Sequence, residues 1–112
     1  TLIKLIKIVC NTYWYSTGIS VEPPSGYYFD LVPRSSIVKL GYMLANSIGI
    51  IDRAYTGEII VVLNKINEGM PDLELPYRAV QIIPRQITHM IPRVVEKLTS
   101  TERQAKGFGS SG

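Results

Sequence analysis

Prolines divide this chain into short apolar runs, and that punctuation limits what it can fold into. Seven prolines occur among its 112 residues. Each fixes φ and removes a backbone N–H, so a helix or central strand that crosses one loses a hydrogen bond. Between the breaks lie runs of β-branched and aromatic residues: Thr1 to Cys10, Tyr13-Trp14-Tyr15, Tyr27 to Val32 stopped by Pro33, Ile37-Val38, Tyr42-Met43-Leu44, Ile59 to Leu63, Ala79 to Ile83 and Val94-Val95. Pro71, Pro76, Pro84 and Pro92 supply further breaks, and Glu22 to Gly26 is the clearest loop. Such residues suit a pleated, half-buried surface. No segment holds a long 3.6-residue apolar period and none is repeated. The spacing predicts an all-β fold, a small sandwich or barrel.

A chain of this length suits one domain with a modest core, to which oligomerisation would add appreciable stability. The net charge is +3, with Lys and Arg scattered rather than blocked. A small anionic substrate explains that balance as well as nucleic acid does. Cys10 is the single cysteine and His89 the single histidine, so neither an intrachain disulfide nor a Cys/His zinc set is available. A reducing, intracellular compartment, cytoplasmic or nuclear, is expected. The first apolar stretch is interrupted by Lys4 and Lys7, is too short to span a bilayer and has no small-residue cleavage site, so no membrane partner is expected.

Chemistry-bearing residues cluster in a few places. Asn46 to Glu58 reads as a tight hairpin running into a turn and then a buried strand. Gly49 lies between β-branched neighbours, which marks positive φ or a close backbone approach. Asp52 and Tyr55 bracket a short turn, as site residues or as ordinary turn residues. Pro33-Arg34-Ser35-Ser36 joins two hydroxyls to a guanidinium past a proline bend, a phosphate cradle or a plain strand-ending turn. Arg78 and Gln81 are polar groups in or beside a buried-looking strand and need partners. His89 has no nearby Ser, Cys or second His and reads as structural. Arg103 to Gly112 sets Phe108 among glycines and serines, as a mobile arm or a linker.

In this order and spacing the segments resemble the trimeric dUTPases. Arg34-Ser35-Ser36 after Pro33 is similar to the family's second motif, and Gly49-Ile50-Ile51-Asp52-Arg53-Ala54-Tyr55-Thr56-Gly57-Glu58 to the third. Arg78-Ala79-Val80-Gln81 looks like the fourth, and Arg103 through Gly107-Phe108-Gly109-Ser110-Ser111-Gly112 like the fifth. Two departures stand out. The first motif, an Ala-Gly-x-Asp-Leu stretch, has no counterpart here; it precedes Thr1 or is lost. The fourth opens with Pro76-Tyr77 where the family has Gly-Asp.

The resemblance implies a jelly-roll subunit in a homotrimer with exchanged C-terminal arms. Residues 1–100 would form the β domain and 101–112 the arm. The implied reaction is dUTP plus water giving dUMP and pyrophosphate, with Mg²⁺ bound through the substrate phosphates rather than by protein ligands. Asp52 would deprotonate the water, with Gln81 and Arg78 as its catalytic companions, Arg78 meeting phosphate or bracing Asp52. Arg34, Ser35 and Ser36 would hold phosphates. Asn46, Gly49 and Ile50 would read uracil, Tyr55 would lie against deoxyribose, and Phe108 would stack on the base. Arg103, Gly109 and Ser110 would complete the substrate contacts. A dCTP deaminase-like enzyme and a catalytically silent dUTPase-like binding domain are the alternatives.

Overall fold

The computed structural model describes residues 1–109. In chain order the elements are β1 (Lys4–Val9), β2 (Thr12–Ser16), β3 (Tyr27–Pro33), α1 (Ser36–Lys39), β4 (Tyr42–Leu44), β5 (Gly49–Ile51), β6 (Ile60–Lys65) and β7 (Val80–Gln86). One sheet has the order β1-β2-β6-β4 and the other β5-β3-β7, with every pairing antiparallel. The all-β expectation holds.

The core follows from strand alternation. Along β6 every second side chain is buried, and Val61 and Leu63 are completely enclosed because β6 lies between β2 and β4. Tyr15, Tyr42 and Leu44 join them from the same sheet, and Leu31 and Ile51 from the other, with Leu2, Ile37, Ile59 and Ala79 closing the edges. A fully buried Val, Leu or Ile contributes about 1.5–3 kcal/mol relative to its exposed state. Lys65 continues the buried face of β6. Its Nζ donates to Asp72 Oδ1 at 2.9 Å and lies 5.5 Å from the centre of the Tyr13 ring. The hydrogen bond to Asp72 raises the lysine pKa and keeps this buried ammonium paired.

Several local expectations are corrected. The tight hairpin is instead a crossover: β4 pairs with β6 while β5 pairs with β3. The chain therefore changes sheets between Leu44 and Gly49, with Ser47 in the left-handed region at φ 63 and its N–H bonded to the Leu44 carbonyl at 3.1 Å. Ile37-Val38 lies in α1 rather than a strand. Ile37 is buried while Val38 is exposed, so the pair offers the core one side chain, and a single helical turn suffices to reverse the chain. Pro84 does not break its strand; it pairs with Phe29 inside β7. β7 is an edge strand, where a proline need not donate to an outer neighbour. Val94-Val95 forms no strand: neither residue is buried, and among the described residues nothing pairs with it.

Residues 87–109 are exposed throughout, His89 included, so the expected structural role for His89 inside the domain is not met. The radius of gyration, 18.8 Å, exceeds the ~13 Å of a compact chain of this size. Among the described residues the last strand ends at Gln86.

The stretch after β2 is stitched to the stretch before β6. Thr17 Oγ1 donates to the Ile59 carbonyl at 2.7 Å, and the Ile59 N–H donates to the Ile19 carbonyl at 2.8 Å. Glu58 accepts from the Ser16 hydroxyl and from the Gly18 N–H at 2.7 Å. Those donors, Ser16 first, hold its carboxyl below the usual carboxylate range. A carboxylate depressed in the folded state contributes stability that is complete above its unfolded pKa and disappears as pH falls through the folded value. Glu58→Gln is thus expected to melt below the parent at pH 7, with the gap closing as both are taken below about pH 4. Thermal unfolding followed by circular dichroism across pH 3–7 measures this; a gap independent of pH would show that the charge of Glu58 does not matter.

Candidate active site

The turn after β5 is held by Asp52. Its Oδ1 accepts from the N–H groups of Ala54 at 2.9 Å and Tyr55 at 3.0 Å, the Asx-turn that a short carboxylate makes readily. Oδ2 has no protein hydrogen-bond partner among the described residues. A carboxylate fixed through one oxygen by backbone donors, with the other free and the residue exposed, is suited to hold a water molecule and take its proton.

Tyr55 folds back from the same turn. Its hydroxyl donates to the Glu58 carbonyl at 2.5 Å, and its ring passes over Gly57, where a Cβ would lie 2.7 Å from the phenol oxygen. Glycine at 57 is what allows that approach. The pinned ring forms one wall of a cavity of about 240 Å³, lined also by Asn46, Gly49, Ile50 and Ile51 and by Leu31, Leu44, Ile59, Ile60 and Val62. Both sheets contribute walls, because the crossover brings β5 against β3 while β4 stays on β6.

Gly49 fits the close-approach reading and not positive φ. A Cβ added there would lie 3.2 Å from Leu31 Cβ and 3.6 Å from Asn46 Nδ2, so a larger residue would press β5 away from β3 and fill the cavity mouth. The pocket thus gathers Asn46, Gly49, Ile50 and Tyr55, with Asp52 in the adjoining turn. A mostly apolar recess with a few polar groups at its rim is suited to a flat heterocycle.

A second group lies where β3 ends beside the start of β7. Pro33 pairs with Val80 and Val32 with Gln81. The Arg34 N–H donates to the Ala79 carbonyl at 2.8 Å, and its Nη1 to the Arg78 carbonyl at 3.0 Å. Gln81 Nε2 reaches the Pro33 carbonyl at 3.4 Å. Arg34, Ser35 and Ser36 are therefore docked on the start of β7 beside Arg78. Arg78 and Gln81 are exposed, contrary to their buried-looking sequence context: Arg78 precedes β7, and Gln81 lies on β7, which is an edge strand. Arg78 makes no ion pair with Asp52 among the described residues. Gln81 lines a neighbouring cavity, also about 240 Å³, which shares Leu31 and Ile59 with the first.

The arm stands apart. Arg103 Nε donates to the Lys106 carbonyl at 2.7 Å, Phe108 is fully exposed and Gly109 has φ 78. None of the three lines either cavity. Ser110 lies outside the described residues. Among those described, no group of three His, Cys, Asp or Glu is placed to hold a metal ion, and no helix is long and apolar enough to cross a membrane. Sequence reasoning overlooked the apolar lining of the cavity. Its residues carried a visible signal, buried alternation along strands, but not which strands would face one another.

A family model described as dUTPase matches residues 4–112. The deoxyuridine 5'-triphosphate nucleotidohydrolase of Escherichia phage T5 is 41% identical over 98 residues, covering 86% of this chain and 66% of that protein. The enzyme of the same name from Hydrogenobaculum sp. is 37% identical over 98 residues, covering 87% and 68%. The chain spans about two-thirds of the length of these curated relatives. Among solved structures, the Staphylococcus bacteriophage 80alpha dUTPase with dUPNHPP superposes with a TM-score of 0.73 at 22% identity, covering 99% of this chain and 79% of that one. The native EIAV dUTPase superposes at 0.64 with 25% identity, covering 88% and 78%. With the segment after Pro33, the turn at Asp52 and the cavity at Tyr55 all falling inside the matched range, the chain belongs to the dUTPase family.

Proposed function

We propose that this protein hydrolyses dUTP to dUMP and pyrophosphate. One observation carries the reading: a cavity of about 240 Å³ between the sheets is lined by Ile51 and Tyr55, which flank the turn of Asp52, a carboxylate whose Oδ2 has no hydrogen-bond partner among the described residues, in a chain of this family. The uracil ring enters between Gly49-Ile50 and the apolar walls, where the β5 backbone and Asn46 meet its polar edge. Deoxyribose lies on Tyr55, which crowds a 2′-hydroxyl.

Asp52 accepts a proton from water as the water oxygen bonds to the α-phosphorus, and the bond from that phosphorus to the bridging oxygen breaks to release pyrophosphate. Charge spreads over the non-bridging oxygens in such a step, so aimed donors and cations do most of the catalysis. Arg34, Ser35, Ser36, Arg78 and Gln81 supply them. Divalent-metal dependence is general in this family, and we assign Mg²⁺. The described residues offer no protein cage for such an ion, so it fits as a companion of the triphosphate, whose charge it offsets.

Among the described residues of one chain, Arg103, Phe108 and Gly109 line neither cavity, and the apolar residues Met90, Ile91, Val94 and Leu98 are exposed. Both features support a homotrimer in which sites are completed by neighbouring copies and residues 101–112 act as the closing arm, with Arg103 and Ser110 on phosphates, Gly109 beside them and Phe108 on the base. An intracellular location follows from the substrate. A dCTP deaminase-like activity and a silent binding domain are not favoured by the curated relatives, which are named as nucleotidohydrolases.

Pyrophosphate release from dUTP, dTTP, dCTP and UTP tests the assignment: dUTP is expected to be turned over selectively, and comparable rates with dTTP or UTP would remove the specificity claim. Asp52→Asn should lower kcat by roughly 10²- to 10⁴-fold, with substrate affinity within a few-fold of the parent. An unchanged kcat would exclude Asp52 as the base. Phe108→Ala should reduce kcat/KM by about fivefold, the worth of a stacking contact near 1 kcal/mol, with little change in melting temperature. Deletion of residues 103–112 should cost far more activity; full activity after deletion would make the segment a linker.

A further inference from the structure

The second polar group is braced by Tyr77. Tyr77 precedes Arg78, and its hydroxyl donates to Oγ of Ser36 at 3.0 Å. Tyr77 is itself fixed from behind. Its N–H donates to the Leu2 carbonyl at 3.0 Å and its carbonyl accepts from the Leu2 N–H at 2.7 Å, while Leu2 is fully buried. Its ring also packs against the core. The phenol is thus anchored at the backbone and along the ring before it reaches Ser36. Together with the two hydrogen bonds of Arg34 to Ala79 and Arg78, this contact makes a continuous seam between residues 34–36 and 77–79.

A serine hydroxyl has one proton, two lone pairs and a freely turning O–H bond. When Ser36 accepts from Tyr77, one lone pair is engaged and the Ser36 proton cannot point along that direction, where it would meet another donor proton. The proton is left to point away from Tyr77, and accepting a hydrogen bond polarises the O–H and makes it a stronger donor. Phenylalanine at 77 would keep the packing and release the rotor.

We propose that Tyr77 is a positioning residue for the phosphate-binding segment, aiming the Ser36 hydroxyl at a non-bridging phosphate oxygen of the substrate. This rests on Ser36 being a phosphate contact, as assigned above. Tyr77 touches no reacting atom and acts only through Ser36. It stands where the family pattern has Asp after Gly, so here a polar turn position is filled by a side chain that reaches across to the neighbouring segment.

A double-mutant cycle in the full-length protein tests the idea, with steady-state dUTP hydrolysis and calorimetric binding of a non-hydrolysable dUTP analogue as readouts. Tyr77→Phe is expected to lower kcat/KM about three- to tenfold, the worth of one well-aimed hydrogen bond, and to weaken analogue binding in the same direction. In the Ser36→Ala background the same Tyr77→Phe change should alter kcat/KM by less than about twofold, because no hydroxyl remains to be aimed. Ser36→Thr, which keeps the hydroxyl, should restore the dependence on Tyr77. Equal losses from Tyr77→Phe in both backgrounds would reduce Tyr77 to packing and overturn the proposal. No loss from Tyr77→Phe while Ser36→Ala is impaired would overturn it too, leaving Ser36 as a phosphate contact. A harmless Ser36→Ala would remove Ser36 from the site and the proposal with it. A parent protein without dUTP turnover would overturn the dUTPase reading itself.

Discussion

The chain passes from one sheet to the other between Leu44 and Gly49, and the cavity exists because of that passage. Neither sheet can bury its apolar face alone, since β4 and β5 are three residues each and contribute little area separately. Joined by so short a segment, they must lie at the same end of the molecule, one on β6 and the other on β3. Ser47 accepts a left-handed backbone to make the corner, a conformation that costs a non-glycine residue on the order of 1 kcal/mol. Burial of Leu44 on one side and Ile51 on the other offsets it.

From this corner the local chemistry is arranged by short-range rules. Gly49 permits β5 to lie close to Leu31, and Gly57 permits the Tyr55 ring to fold over its own turn. Asp52 spends one oxygen on backbone donors and keeps the other for solvent. The stitches from Thr17 and Glu58 to the flanking strands fix where β6 begins, and hence how the Asp52 turn sits relative to the sheet wall. The cavity and the Asp52 turn thus share one frame, the preorganisation that the proposed chemistry would need.

The polar seam between residues 34–36 and 77–79 solves a different problem. Arg34 and Ser35 join β3 to the one-turn helix that Ser36 begins, and burial does not fix any of the three. Backbone and side-chain hydrogen bonds to the start of β7 do so instead. The Arg34 guanidinium is held against the Arg78 backbone carbonyl, so the chain at Arg78 is fixed beside the segment that follows Pro33.

The sequence by itself determined that this would be a β protein, where most strands lie, and which residues carry chemistry, because proline punctuation, β-branched runs and turn residues act over a few positions. It also held the order of segments that places the chain in its family. It misread what depends on partners distant in sequence. Ile37-Val38 has strand composition yet forms a helical turn, since only Ile37 finds the core. Pro84 looks like a break yet sits in β7, since an edge strand has no outer neighbour to disappoint. The stretch that begins at Asn46 looks like the start of a hairpin, yet β4 before it and β5 within it belong to different sheets, because β4 pairs with β6 and β5 with β3 rather than with each other. The hydroxyl of Tyr77 had no visible role until Ser36 was brought to it from 41 residues away. Local stereochemistry is written in the order of residues, whereas contact across the core is set by which apolar faces can be buried together, and only the folded chain decides that.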